Sequence, residues 1–215
     1  MNKISIEYDK GSNFLSHLMK NYGSDKGSPH EVDITPSGWI ANRYTDIYHI
    51  LFGTIRDDAK KIFECGIGTN NEDVKSNMTA NGIPGASLRG WRDYFWNAQI
   101  YGADIDERIL FEEDRIKTYH VDQTDSESIK EMWKRIGESE FDVILDDGLH
   151  EVHANITFLE NSWDKLKHNG IYVIEDTYYT YEPLKKYLKE KGYNFILVTF
   201  DNTASYCFVI FKTTV

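Results

Sequence analysis

Two acidic pairs and one histidine are the residues of this sequence most suited to metal binding and proton transfer. Asp146 and Asp147 end one apolar run, His150 follows them closely, and Glu175 and Asp176 end a second apolar run. Carboxylate oxygens are hard ligands that suit Mg²⁺. A histidine with a pKa near ~6.5 accepts a proton at neutral pH, so His150 is the best candidate for a general base. Acids that follow strands also serve as helix N-caps or solvated loop residues, and spacing alone leaves those roles open.

A glycine-containing turn follows an earlier apolar run, in the segment Glu64-Cys65-Gly66-Ile67-Gly68. Glycine lets the backbone approach a ligand where a Cβ atom would clash. The segment does not complete the GxGxxG dinucleotide fingerprint, because Asn71 stands at the third glycine. An insertion separates the turn from Ser87, which we predict as the N-cap of the next helix. The turn is therefore a candidate ligand site. The alternative is an ordinary glycine turn between a strand and a helix that binds no ligand.

Polar residues also follow the next two predicted strands. Asp104 can accept hydrogen bonds from the vicinal hydroxyls of a ribose. Asp122 and Gln123 come after the following strand, where they could edge an adenine, and a solvated turn is the alternative role for Asp122. Open α/β sheets bind ligands at the carboxyl ends of their strands. We therefore expect these side chains and the acidic pairs to meet in one crevice.

The elements that must position these residues alternate between short β-rich runs and longer amphipathic stretches, which is typical of βαβ units around a largely parallel sheet. We predict strands at 61–65, 99–103, 117–121, 141–146, 170–175, 194–200 and 205–212. We predict helices at 88–97, 126–136, 154–166 and 181–191. The turn-rich link Asp201-Asn202-Thr203-Ala204 suits an antiparallel hairpin at one edge of the sheet.

Composition restricts the class of protein. The 215 residues are 40% hydrophobic, enough for one core, and carry a formal charge of −11, which would repel a nucleic-acid backbone. The sequence offers neither a run of ~18 apolar residues nor a signal peptide at Met1-Asn2-Lys3-Ile4, so we expect a soluble, cytoplasmic protein without a membrane partner. Cys65 and Cys207 lie in apolar runs and are predicted to be buried free thiols.

Several ordered motifs resemble the class I S-adenosylmethionine-dependent methyltransferases, and more narrowly the metal-dependent macrolide-sugar O-methyltransferases. The resemblance covers nearly the whole chain from about Tyr22 onward. The motifs are Tyr22-Gly23-Ser24-Asp25-Lys26-Gly27, Arg43-Tyr44-Thr45-Asp46-Ile47-Tyr48, Gly85-Ala86-Ser87-Leu88-Arg89, Ile100-Tyr101-Gly102-Ala103-Asp104-Ile105-Asp106, Asp146-Asp147-Gly148-Leu149-His150 and Val173-Ile174-Glu175-Asp176-Thr177. The family usually has serine where this chain has Leu149. The resemblance implies a Rossmann-like α/β fold: a seven-stranded, mostly parallel sheet with one antiparallel edge strand and helices on both faces.

The resemblance also implies a division of labour along the chain. Residues 1–59 would form a helical lid that covers the substrate, and residues 60–215 would bind S-adenosylmethionine. The metal ligands, for Mg²⁺ or another divalent cation, would be Asp147, Glu175 and Asp176, with His150 and Asp147 as the catalytic residues. The cofactor-binding residues would be Glu64, Gly66, Gly68, Ser87, Asp104, Asp122, Gln123 and Asp146. The candidate substrate contacts are Tyr44, Tyr48, Tyr178 and Tyr179, with packing of the lid helix or of the next helix as their alternative role.

The activity implied by the resemblance is transfer of a methyl group from S-adenosylmethionine to a hydroxyl of a sugar or sugar-nucleotide, in surface-polysaccharide or natural-product biosynthesis. The family resemblance also implies a homo-oligomer. Two alternatives stay open. One is methylation of another small polar metabolite that bears a phosphate or an amide, and the other is binding of S-adenosylmethionine without turnover.

Overall fold

The fold is built on one twisted sheet, and the computed structural model describes residues 13–28, 33–200 and 204–213. The strands are β1 (Lys61–Cys65), β2 (Gln99–Asp104), β3 (Glu112–Glu113), β4 (Ile116–His120), β5 (Phe141–Asp146), β6 (Leu166–Ile174), β7 (Asn194–Thr199) and β8 (Tyr206–Phe211). The helices are α1 (Phe14–Tyr22), α2 (Tyr44–Gly53), α3 (Ala86–Tyr94), α4 (Ser126–Ile136), α5 (Val152–Ser162) and α6 (Tyr181–Glu190). Short 3₁₀ turns cover Glu107–Ile109 and Trp163–Lys165.

The sheet has the order β3-β4-β2-β1-β5-β6-β8-β7. Strands β4, β2, β1, β5 and β6 are parallel, whereas β8 is antiparallel to both β6 and β7. This confirms the mostly parallel α/β sheet and the antiparallel pairing of the last two strands at one edge. The link at 201–203 lies outside the described residues. The described sheet has eight strands rather than the predicted seven, because the two-residue strand β3 pairs antiparallel with β4. This strand is too short to show an alternating pattern in the sequence, so it was not predicted.

Helices cover both faces of the sheet, as predicted. One apolar layer joins α1, α2 and α3 to the sheet, and its largest buried side chains include Tyr48, Phe52 and Trp91. The opposite layer joins α4, α5 and α6 to the other face, around Phe63 and Phe158. Because side chains alternate between the two faces of a strand, strands such as β1, β5 and β8 contribute to both layers.

Several predicted boundaries change, including that of the helix predicted over 88–97, which ends at Tyr94. Gly85, with φ +70°, is the N-cap of α3, and Ser87 lies inside the first turn, so the predicted cap at Ser87 is wrong. The predicted helix over 154–166 ends at Ser162, and Leu166 instead starts β6 by pairing with Phe141. The exposed residues that follow Leu166 conceal the strand in the sequence, because they interrupt its apolar pattern.

The N-terminal helices pack on the same face as α3. Asn13 caps α1 through a reciprocal capping box with Ser16, and Gly23 ends that helix at φ +82°. Helix α1 contacts α2 and α3. Cys65 and Cys207 are buried and unbonded, which confirms the predicted free thiols. Among the described helices, none combines the length and the apolar character that crossing a membrane requires.

Candidate active site

A cleft of about 530 Å³ lies at the carboxyl ends of β1, β2, β4 and β5. These strands are parallel neighbours, so their carboxyl ends lie at one edge of the sheet and residues far apart in sequence meet there. Many of the predicted site residues line this cleft. They are Gly66, Gly68, Ser87, Asp104, Asp122, Gln123, Asp147, His150 and Asp176.

The turn after β1 requires glycine. Gly66 has φ +84°, and a Cβ atom there would lie 2.0 Å from the backbone oxygen of Asp147. Gly68 has φ +81°, and a Cβ atom there would lie 2.2 Å from the sulfur of Met78. Both conformations are costly for residues with a side chain. The turn therefore brings bare backbone to the cleft wall, as a closely bound ligand needs.

Asp104 lies on the cleft wall directly beside this turn. Its Oδ2 accepts the backbone N–H of Ile67 at 2.9 Å, and its Oδ1 accepts the N–H of Asp106 at 3.0 Å. Each carboxylate oxygen has a further lone pair, so Asp104 can still accept bonds from ligand hydroxyls. Burial is the main cause that raises the pKa of Asp104. A ligand that donates hydrogen bonds would favour its charged form.

Gln123 connects the next two loops. Its amide nitrogen donates to Asp146 Oδ1, and its carbonyl oxygen accepts from the N–H of Leu149 at 2.8 Å. Asp146 is fully buried, also accepts from Asn155 at 2.9 Å, and is not among the residues that line the cleft. Burial raises the pKa of Asp146 to about 6. Asp122 accepts two bonds from Thr124 in a local turn at the cleft edge.

Glu64 lies behind the cleft wall. The strand alternation turns it toward α3, where it accepts the Ser87 hydroxyl at 3.0 Å and the Trp91 indole N–H at 2.7 Å. Its side chain is fully buried, and burial raises its pKa. It is not among the cleft-lining residues, so its predicted contact with a cofactor stays a prediction. Ser87 itself lines the cleft beside it.

A buried lysine joins three acids at the floor of this site. The Nζ atom of Lys26 lies 2.6 Å from Asp147 Oδ2, 2.8 Å from Glu175 Oε2 and 3.0 Å from Glu64 Oε1. Burial opposes the charged form of Lys26, but the carboxylates outweigh it and raise its pKa well above the usual value. Lys26 is 1% exposed, and its role in the site was not predicted from the sequence. A single lysine in a sequence is usually exposed to solvent. Only the position of Lys26 in the motif at 22–27 therefore distinguished it from other lysines.

Two tyrosines of α2 reach the acids that follow β6. Tyr44 donates to Asp176 Oδ1 at 2.6 Å, and Tyr48 donates to Glu175 Oε1 at 2.7 Å. Both tyrosines are fully buried and neither lines the cleft, so their contacts match the packing alternative. Tyr178 and Tyr179 are 40% and 91% exposed and also lie outside the cleft lining. A substrate contact from any of these four side chains stays a prediction.

Asp147, His150 and Asp176 can place one ligand atom each within 4.8 Å of one another. His150 Nε2 lies 3.9 Å from Asp176 Oδ2, and its buried Nδ1 has no hydrogen-bond partner among the described residues. His150 and Asp176 both adopt left-handed backbone conformations, with φ of +59° and +50°. Such strain in residues with side chains is concentrated at functional sites.

The charge of this cluster favours a cation. Burial, with the nearby charge of Asp147, raises the pKa of Asp25 to about 6, and burial also raises the pKa values of Glu175 and Asp176. Lys26 is the one amine that pairs with this group among the described side chains. Carboxylates in excess of their counter-charges, with a histidine nitrogen close by, are a donor set that fits Mg²⁺ or a similar ion.

Asp106 is a second residue whose role was not predicted from the sequence. Its Oδ2 accepts from Thr69 Oγ1 at 2.6 Å and from Asn71 Nδ2 at 2.7 Å, and Arg108 binds its Oδ1 at 2.6 Å. Thr69 lines the cleft. Asp106 therefore fixes the segment after Gly68 to the end of β2. Asn71, which breaks the glycine fingerprint, takes part in this contact.

Comparisons with known proteins point to one group of relatives. A rhamnosyl tetracenomycin-C 2'-O-methyltransferase of Streptomyces olivaceus is 30% identical over 169 residues, which are 79% of this chain and 39% of that protein. Mycinamicin VI 2''-O-methyltransferase of Micromonospora griseorubida is 31% identical over 170 residues, 77% of this chain and 40% of that protein. The chain thus spans about two fifths of the length of these curated relatives. No protein-family model matches the chain.

A solved structure agrees with the sequence relatives. The MycE methyltransferase of the mycinamycin biosynthetic pathway, in complex with Mg and SAH, superposes with a TM-score of 0.69 at 25% identity. The superposition covers 95% of this chain and 56% of that one. The chain therefore has the fold of the class I S-adenosylmethionine-dependent methyltransferases and is homologous, over the part of their length that it spans, to the macrolide-sugar O-methyltransferases.

Proposed function

We propose that the chain is an S-adenosylmethionine-dependent, divalent-metal-dependent O-methyltransferase that acts on a hydroxyl of a sugar or sugar-nucleotide. The observation that carries this proposal is the shared cleft. The glycine turn at Gly66 and the cluster of Asp147, His150 and Asp176 lie on the walls of the same cavity. A bound cofactor and an acceptor hydroxyl would therefore lie close enough to react.

The cofactor half of the cleft would be formed by the ends of β1, β2 and β4. Asp104 would accept the ribose hydroxyls, and the backbone at Gly66 and Gly68 would border the chain that carries the methyl group. Asp122 and Gln123 would edge the adenine, and Ser87 would lie at the first turn of α3. Glu64 and Asp146 would act from behind the wall, because their contacts are with Ser87 and Gln123.

His150 would accept the proton of the acceptor hydroxyl. Its Nδ1 is buried, which leaves Nε2, next to Asp176, as the atom that reaches the hydroxyl. The nearby carboxylate of Asp176 would stabilise the imidazolium that forms. A positioned base of this kind contributes typically about 10²–10⁴-fold to the rate.

Asp147, Glu175 and Asp176 would hold the divalent cation. When bound, S-adenosylmethionine supplies an electrophilic methyl group, and the cation lowers the pKa of the acceptor hydroxyl and orients it. Lys26 and Tyr48 already fix the Glu175 carboxylate, and Tyr44 fixes that of Asp176. Positioning of this kind accounts for a large part of the catalysis of group transfer.

The same proposal extends to the biological setting. The tetracenomycin relative is named for a rhamnosyl group attached to a natural product, so natural-product or surface-polysaccharide biosynthesis in the cytoplasm is the setting we propose. Residues 1–59 would cover the acceptor and 60–215 would bind the cofactor. A homo-oligomer would form as the family resemblance implies.

The decisive experiment is a methyl-transfer assay with S-adenosylmethionine and a panel of glycosides and sugar-nucleotides, with and without EDTA. We expect transfer to one acceptor class, loss of turnover after chelation and recovery with Mg²⁺. Turnover that survives chelation would exclude the metal. If neither S-adenosylmethionine nor S-adenosylhomocysteine raises the melting temperature, the cofactor assignment fails.

A further inference from the structure

We propose that Lys26 is a positioning residue for the metal ligands, and this inference rests on the proposed function. The ammonium group of Lys26 binds Asp147 and Glu175 at 2.6 and 2.8 Å and is itself buried. Two of the three proposed ligands are therefore held by one atom. Lys26 would fix their carboxylates before a cation arrives.

The three acids that Lys26 contacts come from different parts of the sheet. Glu64 belongs to β1, Asp147 follows β5 and Glu175 follows β6, and these strands are neighbours. Glu64 is held in turn by Ser87 and the Trp91 indole. Lys26 therefore anchors the proposed ligands to a rigid wall rather than to a mobile loop.

The backbone of Lys26 is also fixed. Its carbonyl oxygen accepts the N–H of Thr45 at 3.1 Å, at the start of α2. The next residue, Gly27, packs so closely that a Cβ atom there would lie 1.9 Å from Thr45 Oγ1. The lysine is thus preorganised by contacts that do not involve the acids. Preorganised outer contacts of this kind orient metal ligands in proteins.

The lysine contacts only some of the oxygen atoms of the proposed ligands. It binds Oδ2 of Asp147 and Oε2 of Glu175, and no contact joins it to the Asp176 carboxylate among the described residues. Each carboxylate oxygen accepts more than one bond, so an ammonium and a metal ion can share these groups. One lysine among five acids, Asp25, Glu64, Asp147, Glu175 and Asp176, leaves an excess of negative charge that a divalent cation would reduce.

Removal of the Lys26 charge should either raise or lower the affinity for the metal, and the direction of this change distinguishes two roles for Lys26. A positive charge close to the ligands repels a cation, so a lysine that merely competes with the metal would weaken its binding. A lysine that positions the ligands would strengthen metal binding despite that repulsion. Loss of outer contacts to ligands typically weakens metal binding by about 10–100-fold, and we expect a change of that size here.

The test uses Mn²⁺ as the probe and measures its dissociation constant from the electron paramagnetic resonance signal of the free ion. Lys26→Met keeps most of the length of the side chain and removes its charge. We expect Mn²⁺ to bind about 10–100-fold more weakly to this variant than to the wild type. Lys75→Met is the matched control, because Lys75 also lines the cleft but is exposed and pairs with Glu151. The control should bind Mn²⁺ as the wild type does.

Chemical rescue separates positioning from a general structural role. Lys26→Ala removes the part of the side chain that propylammonium would replace, and Lys26 lies at the floor of an accessible cleft. Propylammonium should restore Mn²⁺ affinity to this variant, whereas 1-propanol, which fills space without charge, should not. Should Lys26→Met fail to fold, Lys26→Ala folded in propylammonium and then dialysed gives the same comparison.

The possible outcomes separate the inference from the proposed function. If the wild type binds Mn²⁺ and Lys26→Met binds it equally well or more tightly, the positioning role is overturned. The proposed metal site then still stands. Equal rescue by propylammonium and 1-propanol also overturns it. Wild type that does not bind Mn²⁺ overturns the proposed metal dependence and the positioning role together.

Discussion

The phenol oxygen of Tyr44 lies 2.6 Å from Oδ1 of Asp176 and joins α2 to the residues that follow β6. The same oxygen accepts the backbone N–H of Asp176 at 3.1 Å. Asp176 adopts φ +50°, a conformation that residues with side chains rarely take. Tyr44 therefore fixes both the carboxylate and the strained backbone of a proposed metal ligand.

Replacement of Tyr44 by phenylalanine should weaken metal binding and should also destabilise the fold. The lost hydroxyl orients Asp176, so we expect Mn²⁺ affinity to fall by about tenfold. The free energy of unfolding should fall by about 1–3 kcal/mol, the usual cost of losing a hydrogen bond to a charged group. Calorimetric titration with Mn²⁺ and thermal unfolding measure the two effects separately.

Tyr172→Phe is the matched control for that variant. Tyr172 is also fully buried, but its hydroxyl has no hydrogen-bond partner in the part of the chain that the structure describes. Its removal should leave Mn²⁺ affinity unchanged and should not destabilise the protein, because an unpaired buried hydroxyl is itself unfavourable. Equal losses of Mn²⁺ affinity in the two variants would contradict an orienting role for Tyr44.

Replacement of Gly66 by alanine should abolish cofactor binding. The added Cβ atom would meet the backbone oxygen of Asp147 at 2.0 Å, and backbone can yield only if the loop around Asp147 moves. The positive φ adds a cost of about 1–2 kcal/mol. We expect S-adenosylhomocysteine to raise the melting temperature of the wild type and not that of Gly66→Ala.

Gly137→Ala controls for the backbone strain alone. Gly137 has φ +70°, but a Cβ atom added there would have no neighbour within 4 Å among the described residues. It follows α4 and is not among the residues that line the cleft. This variant should lose about 1–2 kcal/mol of stability and keep its response to S-adenosylhomocysteine. A Gly66→Ala protein that still responds to the ligand would show that the turn tolerates a side chain.

Much of the site follows from the sequence because of the rules that govern parallel sheets. The acids at 104, 147 and 176 are recognisable by their places at the ends of strands, and the carboxyl ends of parallel strands lie at one edge of a sheet. Alternation along a strand then decides which acids share a face. It places Glu64 and Glu175 on the α2 and α3 side, and Asp146 on the side of α5.

Other parts of the site depend on packing between distant segments and leave no local pattern. The position of Lys26 follows from how α1 and α2 rest on the sheet, and a single lysine carries no periodicity that could reveal this. Tyr44 and Tyr48 are candidates from the sequence, but which way they face depends on the placement of α2. The extra strand at Glu112–Glu113 is too short to alternate, and it forms because β4 offers a free edge.

Replacement of His150 by asparagine should reduce turnover without reducing cofactor affinity. Asparagine tolerates the positive φ of +59° at this position better than alanine does, so the loop should keep its shape. The variant lacks a group that can accept the acceptor's proton, and we expect kcat to fall by about 10²–10⁴-fold. The dissociation constant of S-adenosylhomocysteine, measured by calorimetry, should stay near that of the wild type.

His153→Asn provides the comparison for this variant. His153 is exposed on α5, three residues further along the chain, and does not line the cleft. Its replacement should leave kcat unchanged. If His150→Asn retained wild-type turnover, or if His153→Asn lost as much, another group would have to be the base.

Replacement of Asp106 by asparagine should reduce stability in a manner that depends on pH. Arg108, together with hydrogen bonds from Thr69 and Asn71, holds the pKa of the Asp106 carboxyl well below its usual range. A group whose pKa is lowered by folding stabilises the protein above its unfolded pKa of about 3.9 and loses that effect as the pH falls toward the folded value. The free energy of unfolding of the wild type should therefore exceed that of Asp106→Asn by about 1–2 kcal/mol near pH 7. Exposure of Arg108 to solvent keeps this difference small.

Thermal unfolding between pH 7 and about pH 3 measures this difference. The gap in melting temperature between wild type and Asp106→Asn should stay constant from pH 7 to about pH 5 and shrink below about pH 4, as the wild-type carboxylate begins to lose its advantage. Asp114→Asn supplies the control, because Asp114 is 90% exposed and lies 3.9 Å from Arg115. That control should match the wild type throughout. A gap that widens in acid would contradict a stabilising carboxylate at position 106, because protonation removes the charge that Arg108 binds.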